Sequence, residues 1–493
     1  MKYLYGASVQ GIQGFIFETG KLVEIAGASE LVEKICTDFF QENVKGFQKE
    51  SLIIGAAGNI KYLFPDKESC SDLVAGFPRK ISRLVPGVQL SQAVVEVNGE
   101  LNVDHLDQLE DRLRTQRNRA WPDEALGWMV AERSRKTGQP ATGRDQKEEG
   151  EFIDKAQRLK REAGRNSAIL ERKLDPDEKL IFPRDLKRLT RGKENSWIAV
   201  IHADGNDLGK RIMKMSESLS GDRVAESFRE LSLRLEKATN RSAREAIRKV
   251  FRNRTGELPF RPIVLGGDDI TVIIGAEHAL AFTEAFLAAF EEHTRNEFAD
   301  FQDLFKTDAF SEGLTACGGI AYVKENYPFY YAVNLAESLC KYSKKIAKDF
   351  DKELVTPSCL AFHKVHSSFI GEFNDIADRE LKAAYTNISF LNGPYFLEEC
   401  RGFGTIKQLR ARLRLINEDG APKARLRNWL SEIQLSEDRA DQLLSRIRNI
   451  TRKKKYITDL GLADGEAIVT RKIGEDSFRV THIYDLIALS NLS

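Results

Sequence analysis

Cysteine is scarce in this chain: six residues, at 36, 70, 317, 340, 359 and 400, among 493. No two form a Cys-x-x-Cys pair, and none falls between 71 and 316. This excludes a disulfide framework and reads as reduced, mostly buried thiols in a cytoplasmic protein. No apolar run approaches the ~20 residues of a membrane span. The N-terminus shows no apolar stretch followed by a cleavage site, so neither a membrane nor export is expected. Net charge is nearly missing as well. The 75 Lys and Arg against 74 Asp and Glu leave +1 at pH 7, and no global field advertises a nucleic-acid partner. What remains, 42% hydrophobic and 30% charged residues, predicts a soluble globular chain of roughly two to four domains.

Within that unremarkable composition, Pro262-Ile263-Val264-Leu265-Gly266-Gly267-Asp268-Asp269-Ile270-Thr271-Val272-Ile273-Ile274 stands apart. Two β-branched runs flank a Gly-Gly-Asp-Asp turn, which predicts a hairpin with two adjacent carboxylates at its tip. Neighbouring strand residues point to opposite faces, so the two acids need not share a role. Carboxylates held between such apolar strands are costly without a partner. A divalent cation is the natural one, and hard oxygen ligands favour Mg2+ or Mn2+. Upstream, the apolar strand Trp197–His202 runs into Ala203-Asp204-Gly205-Asn206-Asp207. An acid at a strand end, then glycine, then a helix start is where an α/β protein presents a metal or phosphate ligand. Asp207 reads equally as an N-cap. If the two acidic segments converge, they make a two-metal nucleotidyl-transfer site. His202 reads as a strand-end packing or hydrogen-bonding residue, since a lone histidine without partners seldom acts as a catalyst.

The pattern from 196 to 349 is strand, helix, strand, turn, strand, helix, strand, helix. This is the β-α-β-β-α-β order of a ferredoxin-like, α+β unit. Its last helix, Tyr330 to Lys348, carries Lys341, Lys344, Lys345 and Lys348 at three- and four-residue steps. That is either a solvated basic face or a cradle in which Lys344 above all holds a triphosphate. The N-terminus resembles a second, silent copy. Lys2–Ser8 stands for the Asp204 strand, with Ser8 at the acid's place. Leu52–Phe64 parallels the hairpin with its turn kept and both acids gone, and Val85–Val97 offers a fourth strand. This reads as an internal duplication in which only the second copy keeps metal ligands; the alternative is two unrelated hairpins in a long α/β chain.

Several segments, in order, resemble one family, the large polymerase-cyclase subunit of type III CRISPR effector complexes. Val9-Gln10-Gly11-Ile12-Gln13-Gly14-Phe15-Ile16 with Ala26-Gly27-Ala28-Ser29-Glu30-Leu31 is similar to that family's first palm. Ala203-Asp204-Gly205 and Gly266-Gly267-Asp268-Asp269 are similar to its second. Gly318-Gly319-Ile320-Ala321, Tyr327-Pro328, Ala336-Glu337 and Lys344-Lys345 resemble the segment closing that palm. Asn392-Gly393-Pro394-Tyr395 resembles the start of its C-terminal domain. The resemblance implies synthesis of cyclic oligoadenylate messengers from ATP in antiviral defence. It makes Asp204, Asp268 and Asp269 the catalytic, metal-binding acids of a two-metal Mg2+ or Mn2+ site. Gly205, Asn206, Asp207, Gly266, Gly267, Lys344 and Lys345 would contact nucleotide. It implies two palm domains, the first degenerate. It also implies partners, namely other subunits of an RNA-guided complex and guide or target RNA.

The expected layout is a first palm at 1–110, a charged helical connector at 111–195, the catalytic palm at 196–360 and a basic helical domain at 361–493. Departures from the family matter. The chain contains no His-Asp dipeptide, so no nuclease activity is expected. The stretch Glu132–Ala141 lacks the cysteines of a zinc insert, so no zinc is expected. Asp204-Gly205-Asn206-Asp207 departs from the commoner Asp-Gly-Asp-Asn, which puts the role of Asp207 in doubt. Residues 110–195 and 401–456, with Arg452-Lys453-Lys454-Lys455, are dense in mixed charge. They read as solvated helix faces or as docking surfaces for RNA or subunits. Two further functions stay open: a non-catalytic nucleotide- and RNA-binding scaffold, and a stand-alone signalling cyclase.

Overall fold

The structure is a computed structural model. It describes the chain except residues 120–129, 146–149, 167, 178, 191–196, 220–222, 253–255, 350–354, 367–372, 401, 474–475 and 493. Parts of both mixed-charge stretches therefore lie outside the described residues.

Two sheets with one topology dominate. The first runs Leu52–Ala56, Asn59–Phe64, Lys2–Gln10, Gln89–Val97, all antiparallel. The second opens in the matching order, Phe260–Gly266, Asp269–Gly275, Trp197–Gly205, Ala316–Lys324. The registers match as well. Ser8 pairs with Asn59 and Ser91, where Asp204 pairs with Asp269 and Cys317. Chain order, sheet order and register thus agree, as the duplication reading requires. The first hairpin keeps its turn through positive φ at Ala57 (50°) and Gly58 (78°). The second does so through Gly267 (61°) at the first central position, where a hairpin turn of the II′ kind needs glycine.

The two units face each other reciprocally. The Leu22–Cys36 helix of the first lies against the Phe260–Gly266 strand of the second, with the Ser29 hydroxyl donating to the Ile263 carbonyl. The Arg223–Val250 helix of the second lies against Leu52–Ala56 of the first, and Arg229 Nε donates to the Leu52 carbonyl at 2.8 Å. The hairpin tips also meet: a Cβ on Gly266 would sit 3.7 Å from the Ala57 Cβ. Burial in the Trp197–Gly205 strand is nearly continuous, so the run has no strand-like polar alternation and reads as sheet centre.

The connector docks on the first unit rather than waving in solvent. Its Lys155–Asn166 helix crosses Leu22–Cys36 at two glycines. A Cβ on Gly27 would lie 1.7 Å from the Lys160 carbonyl oxygen, and one on Gly164 2.0 Å from that of Val23. Buried Arg161 donates to Glu24 at 2.6 Å, to Glu151 at 3.0 Å and to Asp145. Part of the mixed charge is therefore an internal ion network, and the connector also carries a short hairpin, Gly143–Asp145 with Glu151–Ile153.

Beyond residue 360 the structure departs from a purely helical unit. The second sheet continues through Cys359–Lys364, parallel to Ala316–Lys324, and then Tyr395–Phe396. Ile388–Ser389, Asp476–Val480 and Val469–Ile473 form another small sheet. The longer helices Ile406–Ile416, Lys423–Ile433 and Glu437–Ile450, with the shorter Phe373–Glu380, Lys455–Thr458 and Ile483–Leu489, supply the helical part. Among the described residues, no helix is long and apolar enough to cross a membrane.

Candidate active site

Register alone brings the acids together. Asp269 opens its strand directly opposite Asp204, and Asp268 occupies the turn before it. Gly205 N donates to the Asp268 carbonyl at 3.2 Å. The Asp268 carboxylate packs over Gly205 so closely that a Cβ there would lie 2.7 Å from its Oδ2. Glycine after Asp204 is thus a requirement of packing. The turn is pinned from behind, where the Thr239 hydroxyl donates to the Gly267 carbonyl at 2.7 Å.

Crowding shows in the electrostatics. Burial, together with the charge of Asp204, pushes the Asp268 carboxyl up to about 7. Burial and the charges of Asp268, Asp204 and Glu337 push Asp269 to about 8. Asp269 Oδ1 is buried without a hydrogen-bond partner. A buried oxygen left unsatisfied between like charges is what a bound cation would relieve. Among the described residues no three His, Cys, Asp or Glu side chains converge closely enough to cage a metal. Mg2+, however, is ordinarily held by one or two carboxylates with water and substrate phosphate completing the shell. The pair of acids facing each other across the sheet, Asp204 and Asp269, with Asp268 beside them, fits that donor set.

Lys344 and Lys345 part company. Lys344 Nζ ion-pairs with Asp204 and donates to the Gly205 carbonyl at 2.6 Å. Lys345, one residue on and about 100° around the helix, lines a separate cavity on another side of it. Asn206 is a strut: its backbone N–H and its side-chain amide bond Thr315 at 2.8 and 3.0 Å. Asp207 sits at the N-cap position with φ of 56° but makes no cap hydrogen bond. Burial would raise its carboxyl. The Thr356 hydroxyl and Lys348, 3.3 Å away, instead hold it below the usual range. Its place is thus to tie the strand end to the Thr356 loop. His202 lies beneath Asp204 on the same strand face. Burial, with Lys344 and Lys341 nearby, lowers it to about 4, so it is a neutral partner of the Thr271 hydroxyl at 3.0 Å.

Two residues not singled out as site residues from the sequence belong here. Glu337, on the Phe329–Lys348 helix, adds its charge to Asp269, and its own carboxyl is raised by burial and by Asp204. Gln13, from the first unit, donates to Glu337 across the interface. Nothing local marks either one, because the contact exists only once the two units face each other.

Paired ferredoxin-like units with an acid-bearing hairpin in one and a neutral hairpin opposite define a two-palm architecture. Residues 197–352 match the family described as Cas10/Cmr2, second palm domain. No curated protein matches the chain in sequence. In structure it is similar to Csm1 in three Csm1–Csm4 assemblies, covering 100% of this chain and 69% of each of those chains. One is in complex with cA4 (14% identity, TM-score 0.52), one with cA3 (12%, 0.54), and one is the subcomplex of a type III-A CRISPR-Csm interference complex (12%, 0.52). A further Csm1–Csm4 cassette is in complex with AMPPNP (13%, 0.50). Residues 197–352 are thus similar to a Cas10/Cmr2 second palm, within a chain whose two-palm fold is similar to that of Csm1.

Proposed function

We propose that this chain is a metal-dependent nucleotidyltransferase that joins ATP into oligoadenylates, cyclic ones in the full reaction, as the large subunit of a type III CRISPR effector. The observation that carries the reading is the orphaned Asp269 Oδ1 beside Asp204 and Asp268, at an interface whose other side is neutral. ATP as substrate is supported by the family resemblance and by the nucleotide-bound Csm1 relatives. A divalent ion, Mg2+ or Mn2+, would be held by Asp204, Asp268 and Asp269. It would activate a 3′-hydroxyl and offset charge on the α-phosphate and the leaving pyrophosphate.

The chain's own groups do the positioning. The glycines at 205, 266 and 267 let a phosphate chain approach the backbone. Lys344, now bonded to Asp204, exchanges that carboxylate for triphosphate oxygens when substrate enters. Gln13 and Glu337 hold the two palms in register, so that the acceptor nucleotide on the first palm meets the donor on the second. His202 stays uncharged under Asp204 and leaves its negative charge intact. Partners of the Csm4 kind and guide or target RNA fit the same reading, as does a cytoplasmic location.

The test is product analysis. The purified chain, alone and with candidate RNA, is incubated with labelled ATP and Mn2+, and products are resolved by mass spectrometry. Oligoadenylate is expected from wild type and none from Asp268→Ala with Asp269→Ala. Wild-type product from the double variant would refute the site. Nucleotide binding without product in a reconstituted, target-bound complex would make the chain a scaffold.

A further inference from the structure

A second cavity, of about 500 Å³, opens on the other side of the helix that carries Lys344. It lies between Phe329–Lys348, the Phe373–Glu380 helix and the small C-terminal sheet. Its size falls within the range of pockets that hold one small ligand. One wall is aromatic. Tyr342 and Phe373 meet edge to face at 5.2 Å, and the Phe478 ring lies 42% exposed at the mouth.

The lining is also cationic. The lining carries four cations and two carboxylates. Two of those cations already have partners. Arg471 donates to the Gly402 and Asn392 carbonyls, and Lys382 pairs with Asp378. Lys341 and Lys345 are exposed, and among the described residues neither forms an ion pair. They stand one helical turn apart on one face, close enough to share a single diphosphate. Asp349, a turn beyond Lys345, supplies an acceptor for hydroxyls, and Asn374 offers an amide that can bond a base edge.

We infer that this cavity is a second nucleotide site, taking a nucleoside diphosphate with its phosphates on Lys341 and Lys345 and its base against Phe478. Its centre lies away from the catalytic acids: Lys344 faces those, Lys345 faces the cavity, and Lys341, whose charge also acts on Glu337 and His202, stands at the boundary between the two. A bare anion would satisfy the lysines but leave the aromatic wall unused. An apolar ligand would leave two ammoniums unpaired. A nucleotide uses both, since bases stack on exposed rings and phosphates pair with lysine.

Isothermal titration of ADP into the full chain in EDTA tests this independently of catalysis. Three variants are compared: Lys341→Ala with Lys345→Ala, Phe478→Ala, and Asp268→Asn with Asp269→Asn, each first shown to keep the wild-type circular dichroism spectrum. The wild type is expected to bind one ADP. The affinity should fall at least tenfold in each of the first two variants and stay within twofold in the third. Adenosine should bind at least tenfold more weakly than ADP. The inference is overturned if wild type binds no ADP, or if the lysine and Phe478 variants bind like wild type. It is also overturned if inorganic pyrophosphate binds as tightly as ADP, or if only an RNA oligonucleotide binds. Loss of binding in the Asp variant alone would place the nucleotide at the catalytic acids.

Discussion

Replacing Asp269 by Asn should stabilise the metal-free protein at alkaline pH while destroying its use for a cation. The folded carboxyl titrates near 8 against an ordinary value of 3.8, raised first by burial and then by Asp268, Asp204 and Glu337. Between those two values the folded state holds a proton that the unfolded state has lost. Stability therefore declines as pH rises through this window. Roughly four pH units at 1.36 kcal/mol each put the loss at about 5 kcal/mol by pH 8.5. Asn is nearly isosteric and cannot ionise, so it removes this cost. Hydrogen exchange over peptides spanning 263–275, in EDTA at pH 5.5 and 8.5 with intrinsic rates divided out, reads the local effect directly. Wild-type protection should drop between the two pH values, and the Asn variant should keep most of it. Excess Mn2+ at pH 8.5 should restore wild type, by about 2.7 kcal/mol at a hundredfold excess over its dissociation constant, and leave the variant unmoved. Equal pH slopes in the two proteins, or a variant less protected than wild type at pH 8.5 in EDTA, would refute the electrostatic account of the site.

Two structural substitutions probe what holds the site in place. Arg161→Ala leaves Glu24, fully buried on the first-palm helix, without its cation, and should cost about 3–5 kcal/mol in urea denaturation. Arg161→Met with Glu24→Met should recover much of that loss. Gly319→Ala puts a methyl 1.9 Å from the Ala336 carbonyl oxygen and 2.5 Å from Cys340 N, under the helix bearing Glu337 and Lys344. It should cost about 1–3 kcal/mol of thermal stability and lower nucleotide synthesis at saturating ATP, since the helix must lift away from Asp204.

Much of this was legible in the sequence because it is local. The Gly-Gly-Asp-Asp hairpin declares itself through β-branched runs around a two-residue turn. The Asp204 strand declares itself through an apolar run that stops at an acid and a glycine. Their convergence followed from the β-α-β-β-α-β order, and the structure makes Asp204 and Asp269 register partners. Helical spacing separated Lys344 from Lys345 only in principle. Which lysine faces the acids depends on how the helix is rotated on its sheet, and that is set at Gly319, where Ala336 and Cys340 press on the strand. The roles of Gln13 and Glu337 were hidden, because each is an ordinary polar residue until two units 324 positions apart meet. The strand Cys359–Lys364 was hidden for another reason. It pairs in parallel beyond the last element of the expected unit, and a six-residue run carries no sign of its partner.

The neutrality of the first palm has a physical reason beyond loss of function. Its hairpin tip packs on that of the second, Ala57 against Gly266. Its positions matching Asp204 and Asp269 are Ser8 and Asn59, which bond each other at 3.0 Å. Had acids stood at both places, they would have added charge beside Asp204 and the Asp268 and Asp269 carboxyls that it already helps to raise. Like charges brought together at a partly buried interface repel by roughly a few kcal/mol per close pair at an effective dielectric near 20. Several such pairs would approach the whole stability of a domain. Ser8 and Asn59 keep the same turn and the same sheet while removing that repulsion. The first palm can then press against the second closely enough for Gln13 to reach Glu337. A palm without acids is in this sense what allows the acids of the other palm to be buried at an interface at all.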